Sequence, residues 1–305
     1  MQILISGSTG FIGSSLVRFL TDEGHNITRL VRRDSNAAEP QVRWDPQTGT
    51  IDSKALAEIE GVVHLAGESA VGRWTARKKA RILESRSDGT RLLCETLARL
   101  DTPPKVMVCA SGQDFYGDRG EEVLSEDSGP GSGFLADVTA KWEAATRPAA
   151  DAGIRVVNTR SGMVLGAGGG VLGRMLPAFK LGLGGRFGSG RQYASWVSLT
   201  DALRIVQHCL TTESITGPTN VAAPSPVTNA EFARTLARVL SRPSVFPVPA
   251  IGLRLIFGEM AGMMLGGARL DSSKLVGSGF EFRHPELEGA LRAELGKSPQ
   301  LSSPK

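Results

Sequence analysis

Gln2-Ile3-Leu4-Ile5-Ser6-Gly7-Ser8-Thr9-Gly10-Phe11-Ile12-Gly13 is the stretch on which the fold turns. Three apolar residues in a row read as a buried strand. Ile12, Leu16, Phe19 and Leu20 then recur at helical spacing, so a helix opens at the last glycines. Glycines between a strand and a helix have distinct uses. Gly7 permits the tight turn, Gly10 lets backbone approach a pyrophosphate, and Gly13 permits close helix–strand packing. The helix start offers free N–H groups and the positive end of a dipole. A glycine pattern opening a βαβ unit at residue 7 predicts a dinucleotide site, with Thr9, Phe11 and Ile12 in the same loop.

The next strand selects the nucleotide. A site for NAD places an Asp or Glu at its end to hold the ribose 2′-hydroxyl, and a site for NADP places a cation there. Ile27 to Val31 is followed by Arg32-Arg33, with no acid before Asp34. A guanidinium can fork onto a phosphate and stack on adenine, so Arg32 predicts NADP(H).

Further on, apolar runs at 61–66, 106–108 and 154–157 alternate with helical patterns at 75–100 and 135–150. That rhythm predicts an α/β fold, a Rossmann doubly wound parallel sheet. Beyond Arg160 the rhythm breaks into glycine-rich stretches at 166–173 and 182–190, expected to shape a ligand crevice. A helix at 199–210 returns to the core, and helices near 229–240 and 251–265 suggest a smaller, mainly helical C-terminal substrate lobe. The expected organisation is a cofactor-binding core of 1–165 joined by 197–222. Substrate-side loops and lobe follow from 166–196 and 223–297, with a frayed polar tail at 298–305.

Composition excludes several classes. The 305 residues carry a net charge of +4, and the densest basic run, Arg73 to Arg81, falls on one helix, which argues against nucleic acid. Cys94, Cys109 and Cys209 are isolated and apolar in setting, which fits a reducing cytoplasm and no metal. The longest apolar stretch, 251–268, is interrupted by Arg254 and Glu259, so no membrane span is expected. The expected partner is a small-molecule substrate, met by a monomer or homodimer.

The chain resembles the extended and atypical short-chain dehydrogenase/reductases. The features that carry the likeness are GxxGxxG at Gly7, Gly10 and Gly13, the segment His64-Leu65-Ala66-Gly67, Ser111 followed by Phe115-Tyr116-Gly117, Arg160-Ser161-Gly162, and Trp196-Val197-Ser198-Leu199-Thr200-Asp201. Gly182-Leu183-Gly184-Gly185, Gly188-Ser189-Gly190-Arg191-Gln192, Thr139-Ala140-Lys141-Trp142-Glu143 and Asn229-Ala230-Glu231-Phe232 narrow it to the "epimerase family protein" group, which has its own C-terminal domain. The resemblance implies cofactor contacts from the glycine loop, Arg32, Leu65, Ala66, Arg86, Lys141 and Arg160, with Arg81 a weaker match. It also implies catalytic work for Ser111 and Lys141.

One departure matters. Active members of that superfamily carry a Tyr four residues before the Lys, so that both share a helix face. Here Asp137 stands in that position. A carboxyl is far more acidic than a phenol and is a poor proton donor near neutrality. Asp137 reads as an i,i+4 partner of Lys141. Tyr116 is the nearest phenol and the candidate substitute, with Gln113 and Asp114 in the same loop as possible substrate contacts. The function expected is that of an NADP(H)-dependent oxidoreductase or epimerase acting on a small polar carbonyl, hydroxyl or sugar-nucleotide-like compound. The alternative is a sensor or scaffold that binds the cofactor without turnover.

Overall fold

The computed structural model describes residues 1–33, 38–244 and 246–297; Asp34 and the 298–305 tail lie outside them. The strands of the main sheet are β1 (Gln2–Ser6), β2 (Asn26–Val31), β3 (Gln41–Asp45), β4 (Thr50–Ile51), β5 (Gly61–His64), β6 (Val106–Gly112), β7 (Arg155–Ser161) and β8 (Gly217–Val221). Their spatial order is β8-β7-β6-β5-β1-β2-β3-β4. All neighbours pair in parallel except β4, which runs antiparallel to β3. The order reverses at β1, whose partners are β2 and β5, and such a reversal opens a crevice at the carboxyl ends of the strands.

Period-two alternation builds the two layers. Ile3 and Ile5 face one apolar cluster and Leu4 the other, and all three are fully buried. The first cluster is completed by α1 (Phe11–Asp22) through Leu16, Val17 and Leu20. The second receives α2 (Ala76–Ala98) through Leu93, Cys94 and Leu97. Each such side chain stabilises the fold by about 1.5–3 kcal/mol. α3 (Phe134–Ala144) adds Trp142 on the α2 side.

α4 (Gly170–Lys180) lies beyond β7, and α5 (Leu199–Thr211) packs beside α1. α6 (Asn229–Val239), α7 (Ala250–Phe257) and α8 (Leu287–Glu294) follow. α4, α6 and α8 share a separate apolar cluster through Leu172, Phe232, Leu236, Leu287 and Leu291.

Three expectations are corrected. The helical pattern at 135–150 is two helices, because Pro148 starts a new one at Arg147–Asp151. The pattern at 251–265 breaks at Gly258, whose φ of +61° ends α7. The glycines at 166–173 are partly helical, being the first turn of α4.

Candidate functional site

The loop between β1 and α1 is closed by contacts that only glycine permits. Gly7 has φ +67°, and a Cβ there would lie 2.8 Å from the backbone carbon of Leu65. A Cβ on Gly13 would lie 2.2 Å from the Gly7 carbonyl oxygen, so α1 can sit this close to the loop only without one. Gly10 is the N-cap of α1 and supplies no side-chain cap, which leaves N–H groups of the first turn for a ligand. Thr9 and Gly10 are exposed. Phe11 turns away from the cradle. Its ring fills a slot whose walls are Gly166, Gly169 and Gly170, where added Cβ atoms would stand 2.8, 2.7 and 2.9 Å from it. That stretch therefore clamps the first turn of α1. Ile12 packs against the core beside it.

A cleft of about 790 Å³ spreads from this loop over the carboxyl ends of β1, β2 and β5. Gly7, Thr9, Gly10, Arg32, Leu65 and Ala66 line it. Arg32 and Arg33 are exposed at its rim. Trp44 to Gln47 form a wall the sequence did not single out, since a short strand after β2 carries no nucleotide signature. Glu68 also faces the cleft and is held by Lys78 at 2.6 Å and Arg81 at 3.6 Å; the Lys78 hydrogen bond keeps its carboxyl below the usual range. The geometry fits a dinucleotide, with a glycine cradle, a helix start and the cationic rim that Arg32 and Arg33 form after β2.

A buried network fixes the floor. The backbone N–H groups of Leu65 and Ala66 donate to Ser6 Oγ at 3.1 and 3.2 Å, and Ser6 Oγ lies 2.7 Å from His64 Nδ1. With its lone pairs taken, the Ser6 hydroxyl donates to Nδ1, so Nε2 carries the proton and donates to Thr90 Oγ1 at 3.0 Å. This is the neutral imidazole, and complete burial lowers His64 to about 4. Arg86 supports the same segment from α2. Its Nη1 donates to the Glu68 carbonyl at 2.8 Å, and its guanidinium stacks on Trp142.

Ser111, Tyr116 and Arg160 are brought together, but inside the protein. Ser111 and Arg160 are register partners on β6 and β7. Arg160, 4% exposed, grips Glu143 of α3 through Nε at 2.9 Å and Nη2 at 2.8 Å. Ser111 Oγ donates to the same carboxylate at 2.6 Å. Arg160 Nη1 donates to Tyr116 Oη at 3.0 Å, and its plane stacks 3.5 Å from the Phe115 ring centre. Tyr116 is fully buried and donates to Asn220 Oδ1 at 2.8 Å. Burial pushes its phenol above the ordinary range, with Arg160 opposing. The expectations of a cleft-facing Tyr116 and an Arg160 free for cofactor are thus corrected: a buried guanidinium must be paired, and Glu143 and Tyr116 are its partners. Glu143, read only as part of a motif, is the centre of this network. Lys141 and Asp137 lie exposed one turn apart on α3, and among the described residues no ion pair joins them, contrary to expectation.

A second cleft, about 470 Å³, opens between the turn after β6, the start of α3 and the chain around α7. Trp74, Gln113, Asp114, Phe134, Arg254 and Glu259 are among its walls. Among the described residues there is no cluster of three potential metal ligands, and no helix is long and apolar enough to cross a membrane.

A parallel sheet with a glycine cradle at its reversal point defines a nucleotide-binding class, and comparison gives the family. Residues 3–222 match the NAD dependent epimerase/dehydratase family, and the chain belongs to it. Residues 248–294 match a further domain of unknown function, DUF1731. Within that family the chain is 39% identical over 292 residues to epimerase family protein Mb2239 of Mycobacterium bovis, covering 95% of this chain and 96% of that one. It is 36% identical to epimerase family protein YfhF of Bacillus subtilis, over 95% of this chain and 97% of that one. The crystal structure of human epimerase family protein SDR39U1 (isoform2) with NADPH superposes with a TM-score of 0.88 at 34% identity, covering 97% of this chain and 99% of that one. The NAD dependence that names the family agrees with the glycine cradle and helix start of the first cleft.

Proposed function

We propose that this chain is an NADP(H)-dependent oxidoreductase or epimerase acting on a small polar carbonyl or hydroxyl compound, including sugar-nucleotide-like ones. The observation that carries this reading is the 790 Å³ cleft, with Arg32 at the end of β2 where an NAD site keeps an acid. The NADPH bound by the human relative agrees with it. Gly7, Gly10, Leu65 and Ala66 would hold the pyrophosphate and ribose region, and Arg32 the 2′-phosphate. When bound, the cofactor supplies or accepts hydride. Lys141 would serve its ribose from the exposed face of α3. The second cleft, bordered by residues of the C-terminal part, is the place for the substrate.

Asp137 in the tyrosine position and the sealed Tyr116 favour one alternative, a binding module without turnover. A screen of aldehydes, ketones and sugar nucleotides separates the two. NADPH absorbance follows redox turnover, and product chromatography follows epimerisation. Turnover on any of them supports the enzyme; tight NADPH binding with none supports the module.

A further inference from the structure

The reaction class proposed above needs a group that gives a proton to, or takes one from, a substrate oxygen. Tyr116 has no surface, and Ser111 donates its only proton to Glu143. The short turn Gln113–Tyr116 that follows β6 divides its side chains. Phe115 and Tyr116 are buried, whereas Gln113 and Asp114 line the 470 Å³ cleft. Gln113 Oε1 is buried with no hydrogen-bond partner among the described residues. A desolvated amide oxygen without a donor is unusual in a folded protein, and a ligand O–H or N–H in the cleft would satisfy it. Asp114 lies beside it, and among the described residues no other side chain hydrogen-bonds its carboxylate. The residue before the turn is Gly112, where a Cβ would stand 3.4 Å from Asp114 Oδ2.

We infer that Asp114 is the acid–base residue of the substrate cleft, and that Gln113 orients the substrate's hydroxyl beside it. This rests on the NADP(H)-dependent reading. In the oxidising direction the substrate O–H bond breaks and its proton forms the O–H bond of the Asp114 carboxyl. The C–H bond breaks with its electron pair, which leaves as hydride to the oxidised cofactor, and the C=O bond forms. In the reducing direction the Asp114 carboxyl returns the proton to the carbonyl oxygen.

The surroundings suit that role. Burial raises the Asp114 carboxyl above the ordinary aspartate range, opposed by the guanidinium of Arg86 on α2. The other charged groups of this cleft are Asp118, Arg254 and Glu259, and the start of α3 contributes Phe134 to Ala136 without charge. Arg160, behind Phe115, is neutralised by Glu143. A carboxyl so placed can keep its proton above the pH at which an ordinary aspartate loses it.

Two readouts test the assignment on the full chain. Infrared difference spectra taken between about pH 4 and 8 should show the band of a protonated carboxyl persisting above the ordinary aspartate range. Asp114→Asn should remove it while leaving NADPH affinity unchanged. Absence of the band overturns the inference without touching the cofactor reading. On a substrate found by the screen, Asp114→Asn should lower kcat by roughly 10²–10⁴-fold and flatten the pH–rate profile, with Asp114→Glu restoring part of the rate. Wild-type rates in Asp114→Asn overturn the role of Asp114 and leave the enzyme reading standing. NADPH binding with no turnover on any compound overturns both that role and the enzyme reading.

Discussion

The Gly7–Gly13 loop and the turn after β6 both stand at the carboxyl ends of strands of one sheet, yet they are built by opposite means. The loop works by omission: three positions lack side chains so that backbone can meet backbone and a ligand. The turn works by side chains, and two of its four point inward into a buried ionic network while two face a cleft. A site made of backbone leaves a fixed spacing in sequence. A site made of side chains on one turn leaves only residue types, whose directions the fold decides. The difference also separates what the two ends tolerate.

The largest effect is expected at the loop. Gly10→Val should leave a folded protein, because Gly10 is exposed, and should abolish NADPH binding by blocking backbone approach to the pyrophosphate. Near wild-type affinity measured by fluorescence titration would remove the loop from the cofactor site.

Next in size is the network behind the other end. Glu143→Ala leaves Arg160 buried and unpaired, and should cost about 3–5 kcal/mol in denaturant unfolding. A cost below about 1 kcal/mol, the level of an exposed pair, would mean that this ion pair is solvated.

His64 gives a smaller, pH-dependent effect at the cofactor floor. Folding holds its imidazole neutral, with a value of about 4 against 6.5 when unfolded. Its stabilisation is therefore complete above 6.5 and is lost as pH falls from there through about 4. The full loss is on the order of 3 kcal/mol. Relative to the wild type, His64→Gln should show a shallower decline in stability over that window. Equal slopes would place the imidazole in water.

The sheet was legible because β1, β5 and β6 are continuous apolar runs, which only a strand covered on both faces requires. β8 was not, since Gly217-Pro218-Thr219-Asn220-Val221 buries Thr219 and Asn220, and a polar strand has no apolar signature. The glycine loop was readable at the level of single residues. Arg160 and Tyr116 were recognised as site residues by motif, but their partners Glu143 and Asn220 are 17 and 104 residues away in sequence. Only the assembled sheet shows that these groups satisfy one another. Asp114 and Gln113 were visible as polar residues in the same loop, and their direction came from the burial of Phe115 and Tyr116 beside them.

In the proposed NADP(H) site, the choice between nucleotides lies in Arg32. Calorimetric titration of the wild type with NADPH and NADH, repeated on Arg32→Ala, tests it most directly. NADPH should bind at least about tenfold more tightly than NADH, a difference of about 1.4 kcal/mol or more, with most of that preference lost in the variant. Equal affinities for the two cofactors in the wild type would contradict it.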